Sequence, residues 1–215
     1  MKDYKLVIFD WDGTLMDSVE RIVSSMQSAA KNIGLTVPSN HEVKEIIGLS
    51  IPEALKTLFP NITDELIASM RLEYKFQYTD GDNTPSQLFE NALNLLNQLK
   101  KKNKILAVAT GKGREGLNHA LSLSDTTHLF DTTRCAGEMP SKPSPVMLNS
   151  ILEELDIAPH EAIMIGDTSH DLKMAQAAKI DSIGVTFGVH DTATLSLYQP
   201  KVMVDSLIEL ENILV

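Results

Sequence analysis

Residues 5–14 read Lys5-Leu6-Val7-Ile8-Phe9-Asp10-Trp11-Asp12-Gly13-Thr14. The first half is a short run without polar alternation, which is typical of a strand buried on both faces of a parallel sheet. Three further runs of the same character cover residues 105–109, 162–165 and 181–185, and a weaker one covers 201–204. These runs predict a parallel sheet, and the two aspartates follow the first run at the edge where such sheets bind ligands.

Helical patterns lie between the predicted strands. Residues 87–101, 144–155 and 170–178 carry apolar side chains at steps of three and four. Strands that alternate with helices in this way indicate an α/β fold.

The region from about residue 17 to residue 80 breaks this alternation. It offers helical patterns and no strand of comparable quality, and the patterns cover residues 18–34, 40–47, 52–58 and 63–78. Ser39 and Thr63 are predicted N-caps of two of these helices. We therefore expect a helical insertion after the first strand, with the turn-rich residues 80–85 as the return linker.

Composition excludes several classes of protein. The chain has 215 residues, with 19 basic and 29 acidic side chains and a net charge of −10. This balance argues against a nucleic-acid partner, because binding to a phosphate backbone needs a concentrated basic face. The single cysteine, Cys135, excludes an internal disulfide and a cysteine-based zinc site. No leader and no membrane-spanning stretch are apparent, so a cytoplasmic monomer is expected.

Polar residues that could take part in catalysis or metal binding follow the predicted strands or begin helices. They are Asp10 and Asp12, Thr110-Gly111-Lys112, Lys142 before Pro143, and Asp167 with Asp171 four residues later. Each alone has an ordinary explanation, such as a solvated turn or a helix start. In a doubly wound sheet they would converge on one spot.

The chemistry of such a cluster favours phosphoryl transfer. Grouped carboxylates repel one another unless a cation joins them, and a site of few carboxylates suits Mg²⁺ with water and a substrate phosphate. A lysine and a hydroxyl match the oxygens of a phosphoryl group. Asp10 could attack phosphorus to form an aspartyl phosphate, and Asp12 could protonate the leaving alcohol and then activate water.

The order of these motifs resembles the haloacid dehalogenase-like (HAD) hydrolase superfamily. The four matching segments are Asp10-Trp11-Asp12-Gly13-Thr14-Leu15, Ala109-Thr110-Gly111-Lys112, Lys142-Pro143, and Gly166-Asp167-Thr168-Ser169-His170-Asp171. The resemblance covers essentially the whole chain. It implies a Rossmann-like core of residues 1–16 and 81–215, with residues 17–80 as a helical cap. The subgroup that the chain most resembles is the phosphoglycolate phosphatase-like phosphatases.

The resemblance assigns catalytic roles to four residues. Asp10 would be the nucleophile, and Asp12 would be the general acid and base. Thr110 and the backbone N–H that follows it, at Gly111, would hold the transferring phosphoryl group. Lys142 would neutralise that group and orient Asp10.

The resemblance also implies a Mg²⁺ site. Asp10 would contribute its carboxylate and Asp12 its backbone carbonyl. Asp167 would bind the ion directly, and Asp171 would bind it directly or through water. The expected partner is a small phosphorylated metabolite.

Two alternatives remain. A sugar-phosphate mutase similar to β-phosphoglucomutase keeps the same residues, but the comparable cap turn at residues 48–51 has no arginine or lysine. A non-catalytic module that binds a phosphate ligand is the alternative from another class. The presence of Asp12 argues against dehalogenases and phosphonatases, which lack a carboxylate at that position.

Three cations near these motifs could meet a second anionic group on the substrate. Lys112 and Arg114 are nevertheless expected to be solvated in the first turn of a helix. Arg21 is expected to be an exposed cation that pairs with Asp17, four residues before it.

Overall fold

A computed structural model describes residues 2–215, and its centre is a parallel sheet. The six strands that this part of the chain contributes are in the order β5-β4-β1-β6-β7-β8. Their bounds are β1 Leu6–Phe9, β4 Ile105–Gly113, β5 Thr132–Ala136, β6 Ala162–Gly166, β7 Asp181–Val185 and β8 Val202–Val204. This is the strand order of a Rossmann fold, which confirms the predicted fold class.

Helices cover both faces of this sheet. They are α5 Ala92–Lys101, α6 Arg114–Leu123, α7 Val146–Leu155, α8 Ser169–Ala178, α9 Thr192–Ser196 and α10 Leu207–Leu214. In β1, Val7 and Phe9 pack into the core cluster on one face, while Leu6 and Ile8 pack into the cluster on the other. Burial on both faces explains why β1 has no polar alternation.

Four helices lie between β1 and α5 in the chain. They are α1 Val19–Asn32, α2 Asn40–Glu45, α3 Ile51–Leu58 and α4 Asp64–Phe76, followed by a π-helical turn at Gln77–Gly81. They share a hydrophobic cluster of their own, separate from the two clusters that flank the sheet. Ser39 and Thr63 cap α2 and α4, because their hydroxyls accept hydrogen bonds from the N–H groups of Glu42 and Leu66.

A two-residue antiparallel pair marks where the chain leaves and re-enters the sheet region. It joins β2, Met16–Asp17, to β3, Gln87–Leu88. The pattern at residues 87–101 predicts one continuous helix, and this is wrong at its start, because α5 begins at Ala92. Strand β5 is also absent from the prediction, since its sequence, Thr-Thr-Arg-Cys-Ala, is largely polar. No helix within residues 2–215 has the length and apolarity to cross a membrane.

Candidate active site

The carboxyl edge of the sheet brings most of the predicted residues together. Asp10 and Asp12 follow β1, and Asp167 follows the neighbouring strand β6. Thr110 lies in β4, on the other side of β1, where the pairing with β5 shifts register. This arrangement places the polar groups of three adjacent strands at one edge, as the doubly wound topology requires.

Three buried carboxylates form the centre of the site. Oxygens of Asp10, Asp167 and Asp171 lie within 4.8 Å of one another. Asp167 is held from both sides, because Thr14 Oγ1 donates to its Oδ1 at 2.7 Å and the Val189 N–H donates to its Oδ2 at 2.9 Å. Asp167 is therefore fixed in position, and all three side chains are buried.

Asp171 is oriented by the start of its own helix. Thr168 caps α8, and its hydroxyl and N–H both donate to Asp171 Oδ2, at 2.6 and 3.1 Å. The Asp171 N–H is directed at the Thr168 hydroxyl in return, which completes a capping box. This arrangement leaves Oδ1 of Asp171 to face the site.

A single buried ammonium group lies between two of the carboxylates. Lys142 Nζ is 2.8 Å from Asp10 Oδ1 and 2.6 Å from Asp171 Oδ1, and its side chain has no exposed surface. Burial alone would lower the pKa of Lys142, but the charges of Asp10 and Asp171 outweigh burial and raise it. Lys142 is therefore a permanent cation at the centre of the site.

The cluster still has more negative than positive charge. Burial raises the pKa of Asp10 to about 7, with Lys142 opposing the shift and Asp171 adding to it. Burial and the two neighbouring carboxylates also raise the pKa of Asp167 well above its ordinary value. One lysine cannot neutralise three carboxylates, and an oxygen-only ligand set fits a hard divalent cation. The residues present therefore fit a metal ion.

Close packing around the triad depends on glycine. Gly13 has a φ of +81°, and a Cβ there would lie 2.2 Å from Asp167 Oδ2. Any other residue at position 13 would therefore displace a carboxylate of the triad.

Asp12 lies beside the triad and not within it. Its Oδ1 accepts a hydrogen bond from the Ser18 hydroxyl at 2.7 Å, and both its oxygens face Lys112 Nζ, at 3.1 and 3.2 Å. The Asp12 carboxylate is thus separate from the groups that would bind a metal ion. The role of its backbone carbonyl in metal binding stays a prediction.

Helices α1, α3 and α4 lie over the carboxyl edge of the sheet and line a cavity of about 1160 Å³. Asp10, Asp12, Thr110 and Gly111 line this cavity together with residues of α1, α3 and α4. The approach is close at Gly111, where a Cβ would lie 2.3 Å from the Gly48 carbonyl oxygen. Thr110 and Gly111 therefore face the cavity that Asp10 and Asp12 also line.

The structure corrects the expectations for the nearby cations. Lys112 lies in β4 and not in a helix, and only 11% of its side chain is exposed. Arg21 donates to the Asp82 carbonyl oxygen at 2.6 Å instead of pairing with Asp17. Arg114 begins α6, which confirms its predicted place in a first helical turn, but it is half-exposed and hydrogen-bonds Glu138 and Thr133. Lys112 is the residue that sequence reasoning undervalued, and the signal was its position two residues after Thr110.

Comparison with known proteins agrees with this geometry. The profile of the haloacid dehalogenase-like hydrolase family matches residues 7–185, which include the whole candidate site. The chain belongs to this family of hydrolases. It is 29% identical to the phosphoglycolate phosphatase of Vibrio cholerae over 96% of this chain and 95% of that protein. It is 30% identical to the pyrophosphatase PpaX of Bacillus cereus over 97% and 95% of the two chains.

The fold of this HAD-like hydrolase is also found among solved structures. A hydrolase from Pseudomonas syringae superposes with a TM-score of 0.88, at 23% identity over 97% of this chain and 96% of that chain. At this identity the similarity concerns the fold alone. It includes helices α1–α4 as well as the sheet, because nearly the whole of both chains is covered.

Proposed function

We propose that this hydrolase is a Mg²⁺-dependent phosphatase that cleaves small phosphate monoesters through an aspartyl phosphate on Asp10. The contact between Lys142 and Asp10 within the acidic triad carries the proposal, because it pairs a carboxylate nucleophile with a fixed cation for the phosphoryl oxygens. Phosphoglycolate is the substrate to test first, since a curated relative has that specificity in its name.

The first half-reaction transfers the phosphoryl group to the protein. A carboxylate oxygen of Asp10 attacks phosphorus, and the bond between phosphorus and the ester oxygen breaks. Asp12 donates a proton to the departing oxygen, so that an alcohol leaves and an acyl phosphate remains on Asp10. Thr110 and the N–H of Gly111 hold the phosphoryl oxygens during this step.

The second half-reaction restores the enzyme. Asp12, now ionised, removes a proton from a water molecule that attacks the phosphorus of the acyl phosphate. Inorganic phosphate leaves, and the Asp10 carboxylate is free again. Lys142 keeps its contact with Asp10 throughout, and a Mg²⁺ held by Asp10, Asp167 and Asp171 would supply further positive charge toward the phosphoryl oxygens.

The domain organisation of the chain is part of the proposal. Residues 1–16 and 81–215 form the catalytic core, and residues 17–80 form a cap that excludes water from the acyl phosphate. The separate hydrophobic cluster of α1–α4 supports a cap that moves as one unit. We further propose a cytoplasmic monomer that acts on a small phosphorylated metabolite.

Phosphate release from phosphoglycolate, pyrophosphate and p-nitrophenyl phosphate, with Mg²⁺ and with EDTA, tests this function. We expect activity that requires the metal and disappears in Asp10→Asn. Asp125→Asn is the matched control, because Asp125 is exposed and has a positive φ that asparagine also adopts. An Asp10→Asn variant that turns over at the wild-type rate would refute Asp10 as the nucleophile.

An assay on the same purified protein distinguishes a mutase from a phosphatase. Conversion of a hexose 1-phosphate to the 6-phosphate without net phosphate release would favour the mutase. Binding of phosphate esters without turnover of any of them would favour a non-catalytic module.

A further inference from the structure

A cationic group borders the active-site cavity beside Asp12 and has no place in the proposed phosphoryl transfer. Lys112 Nζ contacts both oxygens of Asp12, at 3.1 and 3.2 Å, and the Tyr78 hydroxyl at 3.3 Å. It also lies 4.4 Å from the centre of the Tyr78 ring. An ammonium has three N–H donors, and the weakest of these three bonds is the long one to the neutral hydroxyl. That bond is the one that an anionic acceptor would replace.

A second cation reaches the same tyrosine from α1. The guanidinium carbon of Arg21 lies 5.6 Å from the Tyr78 ring centre, and the residue lines the same cavity as Asp12. Its Nη2 donates to the Asp82 carbonyl, but its Nε–H is buried and has no acceptor. The acceptor that the described residues offer Arg21 is a neutral carbonyl oxygen and not a carboxylate.

The charge of this corner is unbalanced. Lys112 and Arg21 carry two positive charges around Tyr78, and Asp12 supplies one negative charge. A buried N–H without an acceptor costs free energy, and so does a cation without a partner. An anion between the two side chains would remove both costs.

The position of Lys112 and Arg21 indicates which part of a substrate the two side chains would contact. Lys112 contacts Asp12, and Asp12 is the residue that protonates the leaving oxygen. A group bound by Lys112 and Arg21 therefore belongs to the leaving group and not to the transferred phosphoryl. Ile22 and Met26, which line the same cavity from α1, carry no charge.

We propose that Lys112 and Arg21 form an anion subsite that selects phosphate esters whose leaving group carries a second anionic group, either a carboxylate or a phosphate. This inference rests on the proposed phosphatase function and narrows its substrate class. Charged hydrogen bonds to the second anionic group would make kcat/KM higher for such esters than for esters without that group. Loss of these hydrogen bonds is expected to reduce this ratio of kcat/KM values about tenfold or more.

The test compares matched substrates. We expect kcat/KM for 2-phosphoglycolate and for ethylene glycol bisphosphate to exceed that for ethyl phosphate, which is an alkyl ester like them but lacks the second charge. The first substrate reports on a carboxylate and the second on a phosphate. In Lys112→Met and in Arg21→Met, the ratio of kcat/KM for either of these substrates to kcat/KM for ethyl phosphate should fall about tenfold or more. Lys112→Arg, which keeps the positive charge, should restore part of this ratio.

A matched control removes the same charge from the same cavity. Lys75 lines the cavity, but 63% of its side chain is exposed and it pairs with Glu115 at 2.5 Å. Lys75→Met should leave the ratio unchanged. Equal selectivity in the wild type, Lys112→Met and Arg21→Met would overturn the subsite, even where hydrolysis of ethyl phosphate confirms the phosphatase.

A binding measurement keeps the subsite testable without turnover. Calorimetry on Asp10→Asn should show tighter binding of 2-phosphoglycolate than of ethyl phosphate, and adding Lys112→Met should remove that difference. Equal affinities for the two ligands in Asp10→Asn would contradict the subsite. Absence of hydrolysis of every ester by the wild type, with the difference in binding retained, would refute the phosphatase and keep the subsite.

Discussion

Lys142 Nζ lies 2.8 Å from Asp10 Oδ1, and both side chains are almost completely buried. The two residues are distant in sequence, since 132 positions separate them in the chain (142 − 10). Asp171 joins the same ammonium at 2.6 Å. Lys142 therefore links the loop before α7 to the end of β1 and the start of α8.

Removing that cation should damage both stability and activity. Lys142→Met would leave three buried carboxylates without a positive partner, and loss of one partner from a buried ion pair costs about 3–5 kcal/mol. Thermal unfolding in EDTA should show this loss, and Mg²⁺ should restore part of it. Lys100→Met is the control, because Lys100 and Asp131 form a surface pair worth at most about 1 kcal/mol. Equal losses in the two variants would contradict the central role of Lys142.

Metal binding should weaken as the pH falls. Burial raises the pKa of Asp10 to about 7, from an ordinary value of 3.8, and raises that of Asp167 as well. The folded protein therefore keeps protons that the unfolded chain has lost, so a pH rise toward 7 destabilises the metal-free fold. A divalent cation competes with those protons, and the gain in Tm on adding Mg²⁺ should be larger near pH 8 than near pH 5.

Calorimetry in two buffers of different ionisation enthalpy checks this linkage. Proton release on Mg²⁺ binding should be measurable near pH 6, below the pKa of Asp10. Asp167→Asn should lose most of the metal affinity and its proton release. Binding without proton release near pH 6 would contradict the raised pKa values.

Gly13→Ala should cost more than backbone strain alone. Gly13 and Gly34 have similar positive φ angles, +81° and +77°, and alanine at such a position costs about 1–2 kcal/mol. A Cβ at Gly34 has no atom within 4 Å, whereas a Cβ at Gly13 would collide with the Asp167 carboxylate. Gly34→Ala therefore measures the strain, and Gly13→Ala should in addition lose metal affinity and kcat. Similar behaviour of the two variants in metal binding would refute this reading.

Ser18→Ala should impair proton transfer by Asp12. The Ser18 hydroxyl donates to Asp12 Oδ1 at 2.7 Å from the start of α1, so its loss frees the carboxylate to move. We expect kcat to fall about tenfold for an alkyl phosphate, whose leaving group needs a proton. It should fall much less for p-nitrophenyl phosphate, whose leaving group is a weak base. Ser25→Ala, another buried serine on the same helix, should not distinguish the two substrates.

Most of the fold and the residues of the candidate site could be predicted from local patterns. The apolar runs at β1, β4, β6 and β7 reflect burial on both faces, and such burial leaves a mark in consecutive residues. Strand β5 has no apolar run, because it lies at the edge of the sheet and its polar side chains Thr133 and Arg134 stay partly exposed. The pairing of β2 with β3 joins segments about 70 residues apart, and two residues are too few to form a pattern.

The sequence by itself determined the buried strands β1, β4, β6 and β7, the helical insertion and the residue types that carry the chemistry. Only the tertiary structure decided that Lys112 faces Asp12 and Tyr78, and that Arg21 reaches Tyr78 and not Asp17. The physical reason is the range of the interactions. Burial along a helix or strand is periodic within a few residues, so it can be recognised in a short stretch of sequence. The contacts of Lys112 with Tyr78 and with Asp12 join residues 34 and 100 positions apart, and the contact of Arg21 with Tyr78 joins residues 57 positions apart (78 − 21).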